Sequence, residues 1–304
     1  MISLTRLRDL DLATPTSPGR PLYLSAASGL VCIGDWFYIV ADDELHLGVF
    51  RANSDEPGRL IRLFEGILPD SKSKRKKRKP DLEALTWLPP SEESPFGALL
   101  ALGSGSRPNR RAGALLDLNT NGGTSGAARV IDFAELFALL DERVTALNIE
   151  GAIVAEDNFC LLQRGNRKTN RNSVIRYPLS TIMAALQDKR VGAIEPLAIE
   201  DFDLGDIRGV PLSFTDGAAL PDGRIVFAAV AEDTENSYED GRCVGAALGV
   251  IDRGRLDFVR PLDRPHKIEG LNGRLEGNSI ELLLVTDDDD SLIPARLFSA
   301  TLRM

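Results

Sequence analysis

Apolar positions in this chain come in short runs, each closed off by Gly, Pro, Asn or Asp. The clearest are WFYIV (36–40), GALLAL (97–102), NFCLLQ (158–163), RIVFAAV (224–230) and ELLLVT (281–286). Runs of this kind between turn-forming residues predict β-strands. Helical spacing is confined to two stretches, AELFALLDE at Ala134 to Glu142 and STIMAALQDK at Ser180 to Lys189. Ser180 is placed to cap the second of these. The pattern predicts an all-β protein.

A signature recurs along these runs: a polar residue, then a small one, then an apolar strand. It reads Ser28-Gly29-Leu30, Glu83-Ala84-Leu85, Glu150-Gly151-Ala152, Asp216-Gly217-Ala218 and Glu269-Gly270-Leu271. Each copy leads to a second apolar strand, a polar hairpin and a third strand, such as GALLDL, SVIRYPL, ALGVID or RLFSATL. The complete units add a fourth. Four strands at a period of about 60 residues are the mark of propeller blades. The last unit ends one strand short, and Ile2 to Leu10 is a strand with no blade of its own. The expectation is a five-bladed β-propeller over residues 1–304 as one domain, with blade starts near 28, 83, 150, 216 and 269. In it the N-terminal strand completes the last blade and removes its open edge. A β-sandwich with chance acid-Gly turns is the alternative.

First strands of blades line a propeller's central channel, so Ser28, Glu83, Glu150, Asp216 and Glu269 are expected to converge there. Strand alternation adds Leu30, Leu85, Ala152, Ala218 and Leu271 to the same face, making the channel apolar below a polar mouth. Two carboxylates about 4 Å apart repel by roughly 4 kcal/mol at an effective dielectric of 20. A proton, a lysine or a metal must relieve four of them. Lys267 and Lys79 stand close by in sequence. An all-oxygen ring suits a hard cation, and Ca²⁺ above Mg²⁺.

The order Ser, Glu, Glu, Asp, Glu, once per blade, resembles the calcium-activated nucleotidases (apyrases). The repeated (I/L)EG(L/A) signature is similar to the esterase-like phytase and SdiA-regulated propellers. KPDLEALTWLPP with GALLALGSGSRPNRRAGALLDL looks like an uncharacterised bacterial family of that kind. The resemblance spans the chain at the level of repeats and implies a five-bladed fold with a central Ca²⁺. Asp216 stands where the nucleotidase pattern has Ser, and no catalytic residue carries over.

Composition narrows the chemistry. Lys and Arg number 36 against 45 Asp and Glu, a formal charge of −9, so nucleic acid is not an expected partner. No apolar run approaches the roughly 18 residues that cross a bilayer, and charges at Arg6, Arg8, Asp9 and Asp11 break any signal-peptide core. A cytoplasmic protein without membrane contact is expected. Two histidines, His46 and His266, are too few for a His-rich metal site. Cys32, Cys160 and Cys243 form no CxxC pair and read as buried thiols.

Hairpins at the channel mouth carry Asp42-Asp43, Gly103 to Arg107, Gln163 to Arg167, Glu232-Asp233 and Asp287 to Asp290. Arg107, Arg110, Arg164 and Arg167, with Lys79 and Lys267, are the candidate anion-binding residues for a small phosphorylated ligand. Solvated hairpin charges paired with neighbouring acids are the plainer reading. The basic run from Lys72 to Lys79 reads as a solvated loop, with a nucleic-acid tether or a lid over the channel as alternatives.

Two functions of different class follow. One is a Ca²⁺-dependent hydrolase of a phosphate-bearing small molecule. The other is a non-catalytic propeller with a structural central metal that binds a protein partner. A sugar-cleaving propeller ranks last, since Trp36 and Trp87 are the only tryptophans available as platforms.

Overall fold

A computed structural model describes residues 1–165, 171–234 and 241–304. After strand β1 (Thr5–Asp9), blade 1 is β2 (Ala27–Ile33), β3 (Trp36–Ala41), β4 (His46–Arg51) and β5 (Arg59–Arg62). Helix α1 (Lys72–Arg78) leads into blade 2: β6 (Leu82–Leu88), β7 (Ala98–Gly103), β8 (Ala112–Leu118) and β9 (Thr124–Asp132). Helix α2 (Ala134–Asp141) precedes blade 3: β10 (Ile149–Ala155), β11 (Asn158–Gln163), β12 (Asn172–Pro178) and, after α3 (Leu179–Ala185), β13 (Ala198–Phe202). Blade 4 adds a short strand β14 (Asp206–Ile207) to β15 (Val210–Ala219), β16 (Ile225–Asp233), β17 (Arg242–Asp252) and β18 (Arg255–Pro261). Blade 5 is β19 (Ile268–Glu276), β20 (Ser279–Thr286) and β21 (Arg296–Arg303), with β1 outermost. All pairings within the blades are antiparallel.

Inner strands β2, β6, β10, β15 and β19 neighbour one another in that order, and β19 returns to β2. The ring is closed. This is the five-bladed β-propeller that the repeats predict.

Continuous apolar runs suit this packing, because each blade is covered on both faces. In β16, Val226, Ala228 and Val230 face a cluster shared with blade 5, whereas Ile225, Phe227, Ala229 and Ala231 face one shared with blade 3. Five such clusters fill the five seams between blades. Burying each large aliphatic side chain is worth about 1.5–3 kcal/mol, so the seams hold the ring together.

Closure works as the orphan strand suggests. Thr5 lies opposite Ser299 and Asp9 opposite Arg296. The Leu10 amide then donates to the Ala295 carbonyl at 2.9 Å, and Leu10 and Leu12 fill the seam between blades 5 and 1. No helix among the described residues is long and apolar enough to cross a membrane.

Three local expectations change. Helix α3 starts at Leu179, so Ser180 lies inside it and Pro178 occupies the cap position. The basic run is not a loop: Lys72–Arg78 is helical, with Arg75 and Lys79 buried. Leu30, Leu85, Ala152, Ala218 and Leu271 pack in the seams rather than along the channel. A bulge just before each of them shifts the alternation.

Candidate functional site

Every inner strand slips register once, at the same place in its blade. The slips fall between Ala27 and Gly29, Leu82 and Ala84, Ile149 and Gly151, Phe214 and Asp216, and Ile268 and Gly270. The extra residues are therefore Ser28, Glu83, Glu150, Thr215 and Glu269. A bulge frees its extra residue from the ladder and re-aims the side chain. Ser28, Glu83, Glu150 and Glu269 all line one central funnel of ≈ 150 Å³.

Asp216 is not among them. Blade 4 is offset by one residue, so Thr215 takes the bulge and Asp216 takes the place held elsewhere by Gly or Ala. That place is crowded. A Cβ on Gly29 would come within 3.0 Å of the Leu85 amide nitrogen, and one on Gly270 within 3.1 Å of the Gly29 backbone. Asp216 is accommodated by bonding across the gap, its Oδ2 accepting from the Leu271 amide at 2.8 Å. Its Oδ1 and the Thr215 hydroxyl have no partner among the described residues. Burial pushes the Asp216 carboxyl well above the usual range.

Residues two positions before the bulge, Ala26, Asp81, Asn148 and Lys267, line the same funnel. Asp81 joins two cations: its carboxylate meets the Lys79 ammonium at 2.9 Å and the Arg110 guanidinium at 2.6 Å. The Ser104 hydroxyl also donates to it at 2.6 Å. Lys79 pairs with Asp42 as well, and Arg110 reaches the Lys76 carbonyl at 3.0 Å. Across the funnel, Lys267 meets Asp289 at 2.6 Å, Glu232 at 3.1 Å and Glu269 at 3.3 Å. Arg164 pairs with Glu232 and reaches Glu150 at 3.4 Å, while the Asn148 amide donates to Glu150.

Glu83 stands apart. Among the described residues its carboxyl has no hydrogen bond and no ion pair. Burial, with Asp81, Glu150 and Asp42 nearby, pushes it well above the ordinary carboxylate range despite Lys79. Burial raises Glu150 to about 7 against the pull of Arg164, and Asp287 to about 8 against that of Lys267. Glu269 is raised well above its usual value by burial, which outweighs Lys267. Glu232 goes the other way: burial would raise it, but Arg164 and Lys267 together outweigh that. The lysines thus relieve part of the repulsion.

The carboxylates Asp42, Asp81 and Glu83 form a compact group, with one oxygen of each within 4.8 Å of the others. Glu150 and Glu269 lie outside it. Of the expected anion-binding residues, Arg110, Arg164, Lys79 and Lys267 line the funnel. Arg107 is not part of its lining, and Arg167 lies outside the described residues. Burial pushes the Cys160 thiol up to about 11, which disfavours its thiolate at neutral pH.

Sequence reasoning passed over Asp81, Asn148 and Arg75. Period-two alternation back from the ring glutamates would have found the first two, as it found Lys267. Nothing in KSKRKKR marks which of its cations turns inward.

Solved structures similar to this chain are propellers or propeller-like, at low identity. A luciferin-regenerating enzyme is 10% identical, covers 93% of this chain and 92% of its own, and gives a TM-score of 0.45. A putative glycoside hydrolase from Parabacteroides distasonis is 9% identical over 99% and 97%, with a TM-score of 0.48. The WD40 domain of Neurospora crassa Pan2 is 11% identical over 99% and 85%, with a TM-score of 0.42. Likeness this distant says nothing about chemistry. No curated protein matches the chain. The sequence profile of a family of unknown function, DUF6929, matches residues 23–302, and the chain belongs to that family.

Proposed function

We propose that the funnel floor binds a hydrated divalent cation, Ca²⁺ before Mg²⁺, and that the funnel above it takes a small anionic ligand such as a phosphate ester. The observation that carries this is Glu83. It belongs both to the ring of bulged residues and to the compact Asp42, Asp81 and Glu83 group, and burial with its acidic neighbours raises its carboxyl despite Lys79. The donors fit a hard ion, since they are all oxygens. Asp42 and Asp81 already hold Lys79, which leaves Glu83 as the anchor, with Ser28, Glu150 and Glu269 reached through water. A bound ion there would polarise a phosphoryl oxygen. Arg164 and Lys267, on the wall, would orient the ligand's anionic group.

This reading extends the resemblance to the calcium-activated nucleotidases without importing their catalytic residues. A second reading, a structural ion in a non-catalytic propeller, is favoured by one observation: Arg110 and Arg164 are both engaged by carboxylates. Phenyl phosphate separates the two. With CaCl₂ saturating, the parent should bind it and release phosphate. Arg164→Ala should bind it more weakly by about 1.5–3 kcal/mol, the worth of a hydrogen bond to a charged group. Equal binding by both proteins, with no phosphate released, would leave Arg164 as a partner for Glu150 and Glu232 only and favour the structural ion.

A further inference from the structure

Helix α1 contributes Lys72, Arg75 and Lys76 to the funnel lining, and its sequence cannot hold it there. KSKRKKR contains no apolar residue, no acid in its first turn and no capping side chain, and its last turn is wholly basic. Helices of this length are not stable alone, and like charges one turn apart destabilise them further. What holds α1 is polar contact with the rim. Arg75, its one buried residue, donates to the Pro69 carbonyl at 3.1 Å and pairs with Glu44 at 3.6 Å. The Lys72 ammonium donates to the Asp289 carbonyl at 3.2 Å, and Arg110 holds the Lys76 carbonyl at 3.0 Å. No apolar cluster includes any residue of α1.

The upstream flank is open as far as Ile67, since Leu68 is buried, and the downstream flank is fixed. Upstream, Gly66 sits at φ 108° with open space where a Cβ would be, and Ile67 is 84% exposed. Downstream, Lys79 anchors the chain at Asp42 and Asp81. Lys72, Arg75 and Lys76 share the funnel lining with Asp42, Asp81 and Glu83.

We propose that α1 is a cationic cover of the funnel, which opens by releasing the Arg75 and Lys72 contacts and closes more firmly over a bound anion. The opening half rests on the contacts alone. The closing half rests on the reading of the funnel as an anion site.

Hydrogen exchange of the α1 amides in the full chain tests both. Without ligand, α1 should exchange at least about tenfold faster than β6, and faster still in high salt, since it opens locally rather than with the whole fold. Arg75→Gln should speed exchange in α1 and leave β6 unchanged. Glu44 keeps Arg20 and Thr16 as partners in that variant, so the blade stays folded. Exchange of α1 as slow as β6 in both proteins would overturn the cover. Phenyl phosphate with CaCl₂ should then slow α1 exchange. Binding of phenyl phosphate, seen by calorimetry, without that slowing would overturn the closing half. Absence of any binding would overturn the anion reading and the closing half with it, while salt-dependent opening would still support the cover.

Discussion

Asp81 gathers more partners than any glutamate of the repeat, and only its place two residues before Glu83 marks it in the sequence. Lys79, Arg110 and Ser104 all converge on its carboxylate. Removing one member of a buried ion pair typically costs about 3–5 kcal/mol, because the partner charge is left uncompensated. Asp81→Ala should therefore lose stability on that scale in urea unfolding. Asp216 predicts a contrast. Burial raises its carboxyl, so Asp216→Asn, which keeps an acceptor for the Leu271 amide, should change stability by less than about 1 kcal/mol. Asp216→Ala should lose about 1–3 kcal/mol by leaving that amide unpaired. Equal losses for the two variants would mean that the charge matters, and that Asp216 belongs with the ring after all. The sequence places Asp216 in the ring because TDGA mimics the IEGA and IEGL of other blades. Only the register of β15 against β16 reveals that Thr215 is the equivalent residue.

Among elements, the inner strands were the most legible. Their repeated polar-small-apolar order reflects a bulge that frees one side chain, followed by a position where neighbouring backbones nearly touch. Gly270→Ala tests this directly. Its Cβ would lie 2.5 Å from a Val285 methyl and 3.1 Å from the Gly29 backbone. Overpacking of that kind costs about 1–3 kcal/mol. A fully stable Gly270→Ala protein would show that the strands have slack at the axis. Helix α1 was the least legible element. A run of basic residues has no period to read, and what makes it helical lies on other blades: Glu44, Arg110 and Asp289. Local sequence could not supply that.

For the whole molecule, ring closure and blade number were readable because they follow from repeats and an orphan strand, whereas the balance of charge in the funnel depends on which side chains meet. That balance predicts a pH dependence. Burial raises Glu150 to about 7 and Asp287 to about 8, against ordinary values of 4.5 and 3.8, and Glu83 and Glu269 are raised as well. Each group binds its proton more tightly folded than unfolded. Their stabilisation is therefore complete below about pH 4 and is lost as pH rises through 7 and 8. In chelator the Tm should fall between pH 5 and pH 8. With CaCl₂ in excess the fall should be reduced, because the ion takes the place of the protons.

The central claim is that Glu83 anchors a cation in the funnel. Calorimetric titration of CaCl₂ into chelator-treated protein at pH 8 tests it most directly, run on the parent and on Glu83→Gln side by side. The parent should show one site, at least about tenfold weaker in Glu83→Gln, with its Tm raised by calcium by the amount its affinity requires. No heat and no Tm shift in the parent, or equal affinity in both proteins, would contradict it.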